Sequence, residues 1–320
     1  MGPRLARTQC RHSVNRITFY SLSMTNTLVR ARIIAILLVI VSLPALSQQE
    51  PSILWSPANL ANGSPCLFVV QAPKSSSVSA QWQGHKLTFF RSRNSSSWYA
   101  LAGIDIEVGP GSYPLIVELS DANGTVATLR RDITVAAAPY KQVPLTVPDK
   151  FVQPDAAALK IIAADKVIKD KVFTETASQP RWSGRFSPPL GVAPRTDSFG
   201  TRRVFNGKLD SVHRGLDYHA KPGTPVSAVN SGRVVLARPL YYEGNCVIID
   251  HGLGLMTLYM HLSKFKVAEG TMVKRGQIVA LSGGTGRATG PHLHLGLRWQ
   301  GAYLDPAKLF KLDLPVPTTR

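Results

Sequence analysis

The sequence predicts a mainly β protein in which a short helical linker joins two β-rich regions. Short apolar runs alternate with turn residues in both regions, a pattern typical of antiparallel sheets. Between them, residues 138–195 contain many prolines and one run of helical period. We therefore expect an immunoglobulin-like β-sandwich over residues 50–137, a linker over residues 138–195, and an antiparallel β-sheet domain over residues 196–312, followed by a tail over residues 313–320.

The first 47 residues are typical of an export signal. Arg30 and Arg32 precede an apolar run of roughly 14 residues, which is shorter than the ~20 that a membrane-spanning helix needs. Small residues near the end of the run predict cleavage after Ser47, with a retained anchor as the alternative. Met24 is the predicted true start, because it would begin a signal peptide of ordinary length. We expect an exported protein that is located in the periplasm or cell envelope, or is secreted.

Charge and cysteine content narrow the classes of partner. The chain carries a net charge of +18, and removal of the six arginines in residues 1–47 lowers it to +12. A basic exported protein can be attracted to anionic envelope polymers or simply be more soluble, and nucleic acid is not an expected partner. Cys66 and Cys246 fall in different regions, and we predict buried thiols rather than a disulfide.

The N-terminal region is predicted to be a small antiparallel sandwich. Its apolar runs at residues 66–70, 87–90, 113–119 and 131–135 are separated by turn pairs such as Asn-Gly and Pro-Gly. No catalytic constellation is found among these runs. The aromatic residues of this region are predicted to form its core rather than a ligand platform: Trp82, Phe89, Phe90, Trp98 and Tyr113.

The linker is predicted to contain one amphipathic helix. Residues 139–154 are too rich in proline for a regular helix or a central strand. Asp155 can cap a helix over residues 156–173, whose apolar positions recur at helical spacing with lysines between them. We expect this helix to pack against the C-terminal domain. Residues 180–194 are predicted to be irregular.

The C-terminal region is predicted to consist almost wholly of short strands. The runs are separated by glycines, and no crossover helix lies between them, which favours antiparallel pairing. The predicted strands cover residues 226–229, 232–237, 246–250, 255–260, 277–282 and 292–298.

The arrangement of histidines in this region predicts a metal site. His213 lies four residues before Asp217, and His292 lies two before His294, so the side chains within each pair can share a face. Together with His261 in the same β region, they offer enough nitrogen and oxygen atoms for a zinc site, because zinc enzymes usually hold the metal with three such ligands. Spacing alone does not choose between His292 and His294 as the ligand.

Three further histidines are left out of the predicted site. His219 could contact the site, but a role in structure is favoured. His251 is predicted to lie in a turn and to bond the backbone, and His85 belongs to the sandwich region.

A series of motifs runs in a fixed order from residue 198 to residue 306. They are F-G with Arg202 following, H-R-G-L-D-Y-H-A, G-T-P-V-x-A, G-N-C-V-I-I-D-H-G, Y-M-H-L-S, V-x-x-G-T-M-V-K-R-G-Q, G-G-T-G-R-A-T-G-P-H-L-H and D-P. In order and spacing this series resembles the lysostaphin-type, or LytM-type, zinc metalloendopeptidase domain. That family is an exported class of bacterial peptidases that cut peptide bonds in peptidoglycan.

The resemblance implies one zinc ion held by His213, Asp217 and His294, with His261 and His292 beside it as catalytic residues. It also implies a zinc-activated water that attacks a peptide cross-link or stem peptide of peptidoglycan. One histidine would move the proton of that water, and the other would stabilise the oxyanion. Which histidine does which, and which bond is cut, stay open.

Two features bear on how far the resemblance extends. Many relatives have an aromatic and an acidic residue after H-L-H, whereas this chain has Leu295 and Gly296, a change that bears on groove shape or specificity. The glycine-rich segment over residues 283–290 is interpreted as a flexible loop beside the groove rather than a phosphate loop.

The alternative function is a non-catalytic envelope module that binds peptidoglycan or activates an amidase. Such relatives have typically lost metal ligands, so the enzyme is favoured.

Overall fold

The structure, a computed structural model, describes residues 50–92, 95–124, 126–145, 154–191, 194–205 and 209–318. The predicted signal over residues 1–47, its cleavage after Ser47 and the predicted start at Met24 lie outside the described residues. Within the described ranges, neither helix combines the length and the apolar character that a membrane crossing needs.

The N-terminal region forms two sheets with a shared core. One sheet has the strand order β1-β3-β7-β6 and the other β2-β9-β8-β4-β5. The rings of Phe68 and Trp82, one from each sheet, meet edge to face with centroids 5.0 Å apart. Phe89, Trp98 and Tyr113 pack against the same core. The strands are β1 (Ser52–Ser56), β2 (Leu60–Ala61), β3 (Pro65–Gln71), β4 (Ser77–Trp82), β5 (His85–Thr88), β6 (Phe90–Arg91), β7 (Trp98–Gly103), β8 (Gly111–Ser120) and β9 (Val126–Ala136).

The segment between the two regions contains a strand and a helix, β10 (Gln142–Leu145) and α1 (Ala156–Thr174). We expected no central strand here, and β10 is an edge strand, where the missing N–H of Pro144 is tolerated. The Asp155 side chain caps α1 by accepting a hydrogen bond from Ala158 N at 2.8 Å.

Helix α1 packs on one face of the C-terminal sheet. Its residues Ile168, Val172 and Phe173 cover a cluster of buried side chains contributed by that sheet: Leu236, Leu240, Cys246, Ile248, Met256 and Leu258. Two polar contacts fix the helix beside this cluster, Lys169 Nζ to Glu243 Oε1 at 2.5 Å and Tyr241 N to Asp165 Oδ2 at 2.6 Å.

The C-terminal region is dominated by a ten-stranded sheet whose pairs are all antiparallel, as predicted. Its main strand order is β11-β14-β21-β18-β17-β16-β19. The elements are β11 (Arg195–Asp197), β12 (Arg202–Phe205), β13 (Leu209–Val212), β14 (Gly215–His219), β15 (Pro225–Ser227), β16 (Gly232–Leu240), β17 (Gly244–Gly252), β18 (Leu255–Phe265), β19 (Met272–Val273), β20 (Ile278–Ser282), β21 (His292–Trp299), β22 (Ala302–Tyr303) and α2 (Pro306–Leu309). Strands β12 and β13 join β10 in a separate three-stranded sheet.

Residues 49–320 form one compact unit rather than two loosely tethered regions. Asp305 N donates to Gly63 O at 2.8 Å, and Thr318 N donates to Arg91 O at 2.9 Å, so the end of the chain lies against the N-terminal sheets. One hydrophobic core contains buried residues of both regions. Cys66 and Cys246 are both buried free thiols, as predicted.

Candidate active site

Three neighbouring strands of the large sheet, β14, β21 and β18, carry four of the five predicted site residues, and His213 lies between β13 and β14. In β21 the leucines Leu293 and Leu295 are buried in the core, and His292 and His294 face the opposite side. His294 lies between Asp217 of β14 and Met260 of β18 in the strand register. The period of two along β21 therefore brings both rings of H-L-H to one face.

His213, Asp217 and His294 converge on one point. His213 Nε2 lies 3.0 Å from Asp217 Oδ1 and 3.0 Å from His294 Nδ1, and His294 Nδ1 lies 2.8 Å from Asp217 Oδ1. The three residues form a group that could hold a metal ion. The convergence selects His294 rather than His292 from the H-L-H pair, a choice that spacing alone could not make.

The charge state of this group also fits a cation. His213 Nδ1 lies 2.9 Å from the carbonyl oxygen of Ser198, which can only accept a hydrogen bond, so in the neutral ring Nε2 carries a lone pair. That lone pair faces the Asp217 carboxylate, another acceptor, and a metal ion or a proton must lie between them. Two imidazoles and one carboxylate are a donor set that suits zinc with an open fourth position.

The Asp217 carboxylate is held ionised. Burial alone would raise its pKa, but hydrogen bonds with His213 and His294 outweigh burial and hold the pKa well below its usual range. Its other oxygen, Oδ2, accepts a hydrogen bond from the Arg203 guanidinium at 2.9 Å. Arg203 Nε also donates to Asp197 Oδ2 at 3.0 Å, so one arginine joins two carboxylates behind the site.

His261 and His292 lie beside the convergent group. Their ring centroids are 4.7 Å apart, and those of His261 and His294 are 6.1 Å apart. His261 Nδ1 donates to Thr285 O at 2.8 Å, and His292 Nδ1 donates to Gly290 O at 2.8 Å. Because carbonyl oxygens fix the proton on Nδ1 in both neutral rings, each Nε2 is left as an acceptor.

The backbone of His261 is strained. Its φ of 60° lies in the left-handed region that non-glycine residues rarely adopt, and its amide donates to Glu243 O at 2.8 Å. Burial, reinforced by His294 and His292, lowers the pKa of the ring to about 3. The His261 ring is therefore neutral at neutral pH.

Gly215 leaves room for the ligands. It pairs with Gly296 in the register of β14 and β21, and a Cβ at Gly215 would overlap the His294 ring. The space that Gly215 leaves is thus occupied by the ring of His294. Leu295 is fully buried in the core, and Gly296 is buried on the same face of β21 as His292 and His294, so neither of these two departures from the family pattern lines the cleft.

The other histidines are not part of this group. His219 is exposed at the end of β14. His251 is buried within strand β17, so the prediction of a turn is wrong, although Nδ1 does bond the backbone, at 2.8 Å from Ser231 O. His85 packs on the Trp299 ring with centroids 5.0 Å apart.

The site lies in a cleft with a volume of about 1060 Å³. Helix α1 contributes Lys169 to its wall, the small sheet contributes Val143 and Arg202, and the loop between β20 and β21 contributes Arg287 and Thr289. The glycine-rich segment over residues 283–290 therefore borders the cleft, in agreement with the expected loop beside a groove. Sequence reasoning missed Arg203 and Asp197, whose only local signal was their place around F-G at residues 199–200.

Comparison with known families matches residues 211–306 to the description Peptidase family M23. Residues 211–306 form an M23 peptidase domain. The M23 domain contains all five predicted site residues, from His213 to His294.

Curated relatives resemble part of the chain. The peptidoglycan DD-endopeptidase ShyA of Vibrio cholerae is 45% identical over 125 residues, which are 39% of this chain and 28% of the relative. The DD-carboxypeptidase/endopeptidase Mpg of Neisseria meningitidis is 42% identical over 106 residues, 33% of this chain and 24% of the relative. The chain thus spans less than a third of the length of these relatives.

One solved structure resembles more of the chain. A crystal structure from Pseudomonas aeruginosa, described as a putative peptidase M23, superposes with a TM-score of 0.59 at 25% identity. The likeness covers 78% of this chain and 94% of that chain, and so extends well beyond the M23 domain.

Proposed function

We propose that the chain is an exported zinc metalloendopeptidase that hydrolyses peptide cross-links or stem peptides of bacterial peptidoglycan. The observation that carries the proposal is the convergence of His213 Nε2, Asp217 Oδ1 and His294 Nδ1, with two further histidines beside them. A non-catalytic peptidoglycan-binding or amidase-activating module would have no use for this combination.

His213, Asp217 and His294 would hold the zinc ion. Bound there, zinc would polarise the scissile carbonyl and make a water molecule more acidic. Two of these residues are themselves held from behind, His213 by the Ser198 carbonyl and Asp217 by the Arg203 guanidinium. Such outer contacts fix ring orientation and carboxylate geometry before the substrate arrives.

His261 and His292 would move protons during hydrolysis. Each presents an Nε2 acceptor while a backbone carbonyl fixes its Nδ1 proton. A neutral ring can take a proton from the attacking water and return it to the leaving amine. The ring that is protonated, or that donates a hydrogen bond, can stabilise negative charge on the carbonyl oxygen. We assign both residues to catalysis and leave their order to experiment.

The substrate class and the location come from two separate sources. The relatives ShyA and Mpg are described as acting on peptidoglycan or as DD-carboxypeptidase/endopeptidase, which supports a peptidoglycan peptide as the substrate. The arginines and apolar run within residues 1–47 support export. Both features agree with an enzyme of the periplasm or cell envelope.

The test is digestion of defined cross-linked muropeptides, followed by mass analysis. The full chain loaded with zinc is expected to release products whose masses identify the hydrolysed bond, and a chelator should abolish their release. Products that form equally well in the chelator, or no products from any cross-linked or uncross-linked stem peptide, would rule out this function.

A further inference from the structure

The cleft is lined by more basic than acidic side chains. Each of its acids has a basic neighbour: Asp197 and Asp217 contact Arg203, Glu243 contacts Lys169, and Glu107 lies 3.9 Å from Arg202. These pairs leave little negative charge for a cationic group of a substrate. Basic groups beyond these pairs would instead favour an anionic one.

Arg214 is a basic residue of the cleft that these pairs do not include. It directly follows the ligand His213, is exposed, and lines the cleft. Its guanidinium lies over the Tyr303 ring, 4.9 Å from the centroid. Among the described residues, no carboxylate or carbonyl forms an ion pair or hydrogen bond with it.

The contact with Tyr303 prepares Arg214 to bind an anion. The ring covers one face of the guanidinium, whereas the N–H donors lie in the guanidinium plane and remain available. Tyr303 is itself held by the N-terminal region, because its backbone N donates to Asp105 Oδ2 at 2.7 Å. The arginine therefore stands on a support that two parts of the chain build together.

We propose that Arg214, supported by Tyr303, binds a free carboxylate of the peptide substrate. The planar fork of an arginine matches a carboxylate with two parallel hydrogen bonds, which gives position as well as affinity. The proposal rests on the proposed function and adds that this cleft prefers acidic peptides. The N-terminal region would then take part in substrate recognition, because its Asp105 holds Tyr303, which in turn supports Arg214.

The test compares peptides that differ only in one carboxyl group. In a panel of stem-peptide fragments, each free carboxyl in turn is converted to a carboxamide, and kcat and KM are measured with the zinc-loaded full chain. At one position the native chain should favour the free acid by about tenfold or more in kcat/KM, the value expected for a charge-assisted hydrogen bond, mainly through KM.

Arg214→Gln should erase that preference, so that the acid and amide peptides give similar kcat/KM. Arg214→Lys should keep part of it, and Tyr303→Leu should weaken it. Arg131→Gln, an exposed arginine of the distant strand β9, is the matched control and should behave as the native chain does. A native chain without any acid preference, or an Arg214→Gln variant that retains it in full, overturns the proposal.

A binding measurement separates this proposal from the proposed function. If no peptide is cleaved, the same acid and amide peptides are titrated into the zinc-loaded chain by calorimetry. Tighter binding of the acid that disappears in Arg214→Gln supports the carboxylate site while the peptidase function fails. Equal binding of acid and amide peptides refutes the carboxylate site.

Discussion

His251 and the histidines of the candidate site differ in which partners their ring nitrogens have. His251 has both nitrogens partnered inside the chain, Nδ1 at 2.8 Å from Ser231 O and Nε2 at 2.8 Å from Thr257 Oγ1. In the site, backbone carbonyls partner Nδ1 in three histidines, and the Nε2 atoms are left for groups outside the backbone. Both sets are surrounded by the same kind of β-sheet.

Under the proposed function, this difference separates a structural histidine from a metal-binding or catalytic one in this fold. Burial does not separate them, because His213 and His261 are also buried. A histidine whose two nitrogens are both satisfied serves packing, whereas one with a fixed proton and an open lone pair can bind metal or accept a proton. The following changes test that distinction, starting with the largest expected effect.

Removing one member of the convergent group should have the largest effect. His213→Ala is expected to reduce bound zinc from one per chain to nearly none and to lower cleavage by about three orders of magnitude or more, since a metal ion supplies several kcal/mol of charge stabilisation. Elemental analysis and a muropeptide assay measure both. His219→Ala, on the adjacent strand, is the control for zinc content. A His213→Ala protein with full zinc content would contradict the assigned ligand set.

Removing either neighbouring histidine should separate catalysis from metal binding. His261→Ala and His292→Ala are each expected to lower kcat by about 10²- to 10⁴-fold, the range of general acid–base catalysis, with zinc content and fold retained. Circular dichroism and elemental analysis check the retention. Cleavage at the native rate in either variant would remove that residue from the mechanism.

Substitution of His251, whose two ring nitrogens both have partners inside the chain, should affect stability rather than activity. Burial lowers the pKa of His251 to about 4, below its value of ~6.5 in an unfolded chain, so the unfolded state takes up the proton first as pH falls. The contribution of His251 to the stability of the zinc-free protein should therefore be complete above about pH 6.5 and should decline by about 3 kcal/mol as pH falls towards 4.

Denaturant titrations at several pH values measure this decline. His251→Ala should be less stable at neutral pH, should lose part of the decline below it, and should keep a full complement of zinc. If the variant shows the same pH dependence as the native chain, His251 is not the titrating group.

Substitution of Arg203, which supports Asp217 from behind the site, should have the smallest effect on zinc binding and activity. Arg203→Met removes the hydrogen bond to Asp217 Oδ2 and is expected to weaken zinc binding by about 10- to 100-fold without removing a ligand. Competition with a zinc-binding dye measures the dissociation constant, and Arg131→Met is the matched control. Unchanged zinc affinity would show that Asp217 does not need this support.

Local patterns predicted much of the β architecture but not how its parts are joined. The spacing of two along β21 placed His292 and His294 on one face, and the structure agrees. The pairing of β10 with β12 in parallel, and the single core that unites the two β-rich regions, depend on contacts between distant residues. Such contacts are not visible in the spacing of residues along one segment.

The site was predictable in its chemical groups but not in its supports. The motifs identified the histidines and Asp217, because metal ligands and proton carriers need particular side chains. The carbonyl oxygens of Ser198, Thr285 and Gly290 could not be predicted, since every residue has a carbonyl and only the fold selects these three. The same holds for the strained φ of His261, which reflects the irregular register around it.

The most direct test of the metal centre is a crystal of the zinc-soaked full chain measured on both sides of the zinc absorption edge. The account predicts one anomalous peak per chain, at about 2.0–2.2 Å from His213 Nε2, Asp217 Oδ1 and His294 Nδ1, with the Nε2 atoms of His261 and His292 facing it unbound. A peak bound to His261 or His292 in place of these ligands, or no peak in the cleft, would contradict the account.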